Sequence, residues 1–235
     1  MDNLPAGERR LVLFDVDGTL LSAAGVSATA LKEALVEHFG TEGSLPGYDY
    51  SGKTDPQIVR ELMRGAGLED AAIEQRMGKA LDSYLRRLRE RLRPEHVRAK
   101  PGVVAVVRAL ARDPRVTLGL LTGNLEPGAR LKVEPLGLNE HFPFGAYGSD
   151  HEDRHELPAV AVERALAHTG HRFQGKRVVI VGDSIHDVRC GRSLGVRAVA
   201  VATGLTAAAT LAAEDPDALL EDCSDLDRAL QAVLG

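Results

Sequence analysis

Three scarcities narrow the field before any motif is considered. Cysteine is nearly absent: Cys190 and Cys223 are the only two in 235 residues and share no metal-ligand spacing, which excludes a disulfide framework and favours a reducing, intracellular setting. Excess charge is missing too. Against 34 Asp and Glu stand 29 Lys and Arg, a net charge of −5 that supports neither a nucleic-acid nor an anionic-membrane partner. Long apolar runs are the third lack: no stretch reaches the ~18 residues of a membrane-spanning helix, and residues 1–8 carry no basic segment ahead of an apolar one, so a cytoplasmic chain without a signal peptide is expected. Internal repeats and low-complexity segments do not occur. What remains is an ordinary globular make-up, 44% hydrophobic and 27% charged, long enough for one large domain or a core with a smaller insertion.

The most informative stretch is Leu11-Val12-Leu13-Phe14-Asp15-Val16-Asp17-Gly18-Thr19-Leu20. Four consecutive apolar residues read as a buried strand of a parallel sheet, and the run stops at two carboxylates backed by a glycine and a threonine. Residues two apart on a strand point the same way. Asp15 and Asp17 therefore face one volume beyond the strand's carboxyl end, where open α/β sheets place their ligands. Converging carboxylates repel, and a divalent cation relieves the repulsion. Gly18 permits a tight turn and Thr19 offers a hydroxyl to brace it. The plainer alternative is a strand ending in a solvated acidic turn.

Residues 22–98 read as helical throughout. Leu31, Leu35 and Phe39 recur at helical spacing up to Gly40, Asp55-Pro56 opens a second helix through Ile58, Val59 and Leu62, and a long third helix over residues 69–93 carries Leu81, Leu85, Leu88 and Leu92 on one stripe. From Lys100 onward helix and strand alternate, with buried strands at residues 116–121, 178–181 and 198–201 and a short apolar stretch at 142–147. Such alternation requires parallel pairing with right-handed crossovers. The expected fold is α/β, a doubly wound parallel sheet formed by residues 1–21 and 99–235, with a helical insertion over residues 22–98.

Three of the expected strands end in polar groups suited to a phosphate ester: Asp15 and Asp17; Thr122-Gly123-Asn124; and Gly182-Asp183-Ser184, with Asp187 one helical turn further on. A parallel sheet puts all three ends on one edge. Anionic esters repel anionic nucleophiles, so a cation must neutralise both while an in-line group attacks. Asp15 is assigned as the nucleophile that forms an aspartyl-phosphate, and Asp17 as general acid for the leaving alkoxide and then base for water. Asp183 completes a Mg²⁺ site with Asp15 and a backbone oxygen near Asp17, and the Thr122 hydroxyl with the N–H groups after it holds the phosphate oxygens.

Asp15-Val16-Asp17-Gly18-Thr19, Leu121-Thr122-Gly123-Asn124 and Gly182-Asp183-Ser184-Ile185-His186-Asp187 together resemble the haloacid dehalogenase superfamily, on its phosphatase branch, with similarity over nearly the whole chain. That resemblance implies a Rossmannoid core, a mobile α-helical cap at residues 22–98, Mg²⁺ as cofactor and a small phosphorylated metabolite as substrate, closest to the phosphoglycolate phosphatase-like group. The aspartate at Asp17 implies phosphate monoesters rather than haloacids. The family normally supplies a lysine ahead of its fourth motif, and residues 148–158 contain none; Arg154 is the substitute, or else an arginine of a solvated acidic loop.

One competing motif is a literal phosphate-loop spelling, Gly47-Tyr48-Asp49-Tyr50-Ser51-Gly52-Lys53-Thr54, which would make the chain a nucleotide-binding protein. No strand pattern precedes it. As part of a cap, Lys53 and Thr54 become substrate-facing, with Lys53 meeting the substrate's own anionic group; the alternative is a helix start with an exposed lysine. Arg86, Arg87, Arg89, Arg91, Arg93 and Arg98 read as a solvated helix face, His151, His155 and His186 as loop histidines, and Cys190 as packing. A phosphomutase with the same core and a non-catalytic binding protein stay open as readings, and oligomeric state is not readable.

Overall fold

The computed structural model describes residues 9–45 and 47–235; the expectation made for residues 1–8 lies outside that range, as does Pro46 ahead of the phosphate-loop spelling. Along the chain run β1 (Arg10–Phe14), β2 (Leu21–Ser22), α1 (Val26–Phe39), α2 (Asp55–Gly65), α3 (Asp70–Arg91), β3 (Arg98–Ala99), α4 (Val103–Ala111), β4 (Val116–Thr122), α5 (Glu126–Val133), β5 (Gly145–Tyr147), α6 (Leu157–Thr169), β6 (Val178–Gly182), α7 (Ile185–Cys190), β7 (Arg197–Val201), α8 (Ala208–Ala213), β8 (Ala218–Leu220) and α9 (Leu226–Leu234). Six strands form one parallel sheet in the order β5-β4-β1-β6-β7-β8. The chain leads outward from β1 through β4 and β5, then crosses to β6 and leads outward on the other side. The carboxyl edge around β1 is thus the topological switch point.

Both faces of the sheet are covered, which is why its central strands read as near-continuous apolar runs rather than alternating ones. Val12 and Phe14 join Leu120, Val179 and Val181 beneath α4, α5 and α9, whereas Leu11 and Leu13 join Leu121, Val178 and Ile180 against α6 and α7. The helices between β2 and β3 have a core of their own, built from Leu31, Leu35, Ile58, Leu62, Met63, Ile73, Met77, Tyr84 and Leu88. β2 and β3 pair antiparallel, Leu21 opposite Ala99, and tie the two ends of this insertion together.

Two sequence expectations shift within the insertion. The buried stripe of α3 runs through Ile73, Met77, Ala80, Tyr84 and Leu88, and the expected Leu81 and Leu85 lie beside it, half-buried. The leucine pattern misleads because a fully buried tyrosine takes the central place. Nor is the arginine run simply a solvated face. Arg87 binds Glu33 at 3.0 Å and Glu37 at 2.7 Å, and Arg91 binds Glu33 at 2.6 Å, so these two clamp α3 to α1. Among the described residues no helix is long and apolar enough to cross a membrane, and both cysteines are buried and unpaired.

Candidate active site

The parallel register sets Phe14 beside both Leu120 and Val181, so β1, β4 and β6 end at one level and deliver Asp15, Thr122 and Asp183 to a common cavity of about 480 Å³. Asp15, Asp183 and Asp187 are all buried there, each with a carboxylate oxygen within 4.8 Å of the others. Three buried acids at that spacing repel strongly. Burial pushes the Asp15 carboxyl above the ordinary carboxylate range and Asp187 pushes it further, while Arg154 opposes both. Asp183 is likewise pushed up by burial, then by Asp15 and Asp187.

Arg154 is the counter-charge. It lies buried at the start of the turn before α6, and one guanidinium nitrogen, Nη2, donates to Asp15 Oδ1 at 3.0 Å, to the Leu121 carbonyl at 3.2 Å and to Asp187 Oδ1. The alternative of a solvated loop arginine is corrected by that burial. Asp187 is occupied on its other oxygen as well, since Oδ2 accepts from the Ser184 N–H at 2.9 Å and hydroxyl at 2.6 Å in the capping box of α7. Thr19 donates to Asp183 Oδ1 at 2.8 Å, the bracing role expected of it. Gly18 has φ +92°, and a Cβ there would meet the Asp183 carboxylate at 2.3 Å, so only glycine fits the turn.

The Asp17 side chain stands apart from that cluster. Its Oδ2 accepts from Asn124 Nδ2 at 2.7 Å and from Lys132 Nζ at 2.6 Å, and Lys132 also donates to Asn124 Oδ1 at 2.5 Å. Asn124, expected among the phosphate-holding groups, thus spends its amide on Asp17 and on the Thr122 hydroxyl oxygen, 2.8 Å away. Lys132 was not anticipated from the sequence. Only the structure marks it: the buried positions of α5 are Gly128, Ala129, Lys132 and Val133, and a lysine on the buried face of a short helix is rare without a partner.

The insertion closes the cavity from above. The Asp55 N–H donates to the Gly123 carbonyl at 2.7 Å, Asp55 Oδ2 accepts from the Leu125 N–H at 2.9 Å, and Arg60 of α2 binds Glu152 at 2.7 Å. Burial pushes the Asp55 carboxyl up to about 6, against the pull of the Lys132 charge. Gly123 is needed here, because a Cβ would meet the Lys53 carbonyl at 2.0 Å. Lys53 lines the cavity, but its ammonium is bound to Glu61 at 2.7 Å and lies 4.0 Å from the centre of the Tyr48 ring. Thr54 does not reach the cavity. Its fully buried hydroxyl accepts from the Gln57 N–H at 3.2 Å as the N-cap of α2 and donates to the Glu152 carbonyl at 2.6 Å, so helix capping consumes it. The phosphate-loop spelling therefore sits in the connection between α1 and α2, where the described residues that precede it after α1 form no strand.

Hard carboxylate oxygens are the donor set a divalent cation of the Mg²⁺ or Ca²⁺ type takes. Asp15 Oδ2 and Asp183 Oδ2 accept no hydrogen bond among the described residues, whereas both oxygens of Asp187 are engaged; Asp15 and Asp183 can hold such an ion, with Asp187 fixing Arg154 beside them. None of His151, His155 and His186 belongs to the cluster.

A doubly wound sheet with buried acids at its switch point and a helical unit inserted after β1 defines a hydrolase of the haloacid dehalogenase type, and the family model for haloacid dehalogenase-like hydrolases matches residues 12–192. The chain belongs to that family, on the phosphoglycolate phosphatase-like branch. Phosphoglycolate phosphatase of Synechococcus elongatus is 30% identical to it over 227 residues, which cover 94% of this chain and 96% of the relative. Among solved structures, CbbY of Rhodobacter sphaeroides in complex with phosphate superposes with a TM-score of 0.69 at 20% identity, covering 93% of this chain and 96% of that one. A β-phosphoglucomutase of Clostridium difficile gives 0.68 at 12% identity, over 96% and 97%. At those identities the structural likeness is one of fold.

Proposed function

We propose that this chain is a Mg²⁺-dependent phosphatase that hydrolyses a small phosphorylated metabolite, of the phosphoglycolate kind, through an aspartyl-phosphate on Asp15. The observation that carries the reading is the division of labour between the two acids after β1: Asp15 is buried with Arg154 and Asp183, and Asp17 is held apart by Asn124 and Lys132 at the same cavity. One carboxylate is placed to attack and the other to move protons. Asp15 and Asp183 would hold the divalent ion, which would supply neutralisation of the phosphoryl charge when bound. Asp15 attacks phosphorus, the ester P–O bond breaks, and Asp17 gives its proton to the departing alcohol oxygen. Asp17 then takes a proton from water as the water oxygen displaces the Asp15 carboxylate from phosphorus. The Thr122 hydroxyl and the Gly123 N–H supply donors at the phosphate position, the Asn124 N–H being turned to the Thr122 hydroxyl oxygen at 3.4 Å. Residues 22–98 act as the cap of a core made by residues 1–21 and 99–235, and the cavity volume suits a metabolite rather than a macromolecule.

Phosphate release from a panel of small monoesters, with Mg²⁺ and with chelator, tests this reading. Turnover that stops on chelation is expected, and the best ester names the substrate class. Transfer of the phosphoryl group between two hydroxyls of one sugar without release would assign a mutase instead, and no turnover of any ester would end the phosphatase reading.

Ion binding is checked without turnover. Mg²⁺ at a hundredfold above its Kd adds about 2.7 kcal/mol of stability by mass action, which for a chain of this size raises Tm by roughly 5–10 °C. Because the folded-state pKa values of Asp15 and Asp183 are raised, the metal-free protein loses stability from these groups as pH rises and regains it as they are protonated. Protons and metal compete for the same oxygens, so the Mg²⁺ increment in Tm is expected to be larger at about pH 7.5 than at about pH 5. An equal increment at both would remove these acids from the ion site.

A further inference from the structure

We propose that Lys132 is a positioning residue that presents Oδ1 of Asp17, and not Oδ2, to the reacting ester; the inference rests on the phosphatase reading above. A lysine that is 2% exposed has given up its hydration and most of its rotamer freedom, so its ammonium must be compensated. Here the compensation forms a closed ring. Lys132 donates to Asp17 Oδ2 and to Asn124 Oδ1, and the Asn124 amide donates to the same Asp17 Oδ2 and to the Thr122 hydroxyl.

Two donors on one carboxylate oxygen have a definite consequence. Oδ2 is saturated, Oδ1 accepts no hydrogen bond among the described residues, and the Asp17 side chain remains 43% exposed toward the cavity. The proton that goes to the leaving alcohol is therefore carried on Oδ1, and Oδ1 later receives the proton of the attacking water. Without the ring the side chain would rotate freely on its loop, and small misplacements of a reacting group cost rate steeply. Stability does not demand this arrangement. A half-exposed carboxylate is content in water, and a buried ion pair seldom stabilises more than well-packed apolar groups of the same volume. The insertion contributes to the placement, since Asp55 holds the backbone on either side of Asn124 through the Gly123 carbonyl and the Leu125 N–H.

The experiment compares Lys132→Met with wild type on two esters, the best alkyl phosphate of the panel and p-nitrophenyl phosphate, whose leaving group departs without protonation. Loss of a positioned acid should cut single-turnover release of the alkyl alcohol about 100-fold and change single-turnover release of p-nitrophenol by less than about 5-fold, while hydrolysis of the shared aspartyl-phosphate, which uses the same Oδ1 as base, slows alike for both esters. Equal losses of the single-turnover release step on both esters, or no loss on either, would overturn the role while leaving the phosphatase reading intact. If Lys132→Met does not fold, Lys132→Gln, which keeps a donor of similar reach, is read by the same ratio; its failure to fold would assign the lysine to stability alone and also overturn the proposal. Wild type inactive on both esters would instead remove the phosphatase reading and this inference with it.

Discussion

Asp15→Asn is expected to lower phosphate release by about 10⁴-fold or more, because the amide cannot form the covalent intermediate that divides the reaction into two easier displacements. The fold is expected to hold or gain. Asp15 is pushed up by burial and by Asp187, so its carboxyl binds a proton more tightly in the folded than in the unfolded chain and weakens the fold as pH rises. An amide of the same shape removes that repulsion at neutral pH, while Arg154 keeps its bonds to Asp187 and to the Leu121 carbonyl. Phosphate release and thermal unfolding, measured on the same preparations, check both halves. A variant within tenfold of wild type would take the nucleophile's role away from Asp15, and a melting point that collapsed would mean that Asp15 is structural.

The opposite pattern is expected for Arg154→Met, which should lose activity and stability together. The guanidinium is the counter-charge for both Asp15 and Asp187, and removing one partner of a buried ionic cluster typically costs about 3–5 kcal/mol because the remaining charges stay uncompensated. For a chain of this length that is a fall in Tm of roughly 6–20 °C. Turnover should fall on the order of 10³-fold, since a donor aimed at the reacting carboxylate and its phosphoryl group is gone. Arg154→Lys restores the charge, but an ammonium on a shorter stem must replace the Nη2 that reaches two carboxylates and a carbonyl, so partial recovery of Tm with little recovery of activity is expected. Denaturant unfolding and initial rates decide the matter. An Arg154→Met protein as stable as wild type would show that Asp15 and Asp187 need no counter-charge.

The contrast between Arg154 and Lys132 shows how far local pattern reaches. Arg154 is suggested by its place in the chain, where the family's lysine would stand, even though its loop is acidic. Lys132 was passed over because nothing in Glu126-Pro127-Gly128-Ala129-Arg130-Leu131-Lys132-Val133 marks one of two basic residues as buried. Only the packing of α5 on the sheet turns Lys132 inward and leaves Arg130 at the surface of the helix, bound to the Phe142 carbonyl at 2.6 Å. Thr54 errs the other way. It was placed near the substrate by its neighbours in the chain, yet the start of α2 takes its hydroxyl.

By itself the sequence determined the α/β class, the helical insertion after the first strand and the three polar strand ends, because strand alternation, helical spacing and parallel pairing are local or topological rules that a one-dimensional pattern obeys. The tertiary structure alone decided which side chains meet: Asp17 with Lys132, 115 positions away, Arg154 with Asp15, 139 positions away, and Thr19 with Asp183, 164 positions away. Contacts of that span depend on how each helix is rotated against the sheet, and that rotation is set by the fit of whole apolar faces rather than by the polar residue itself.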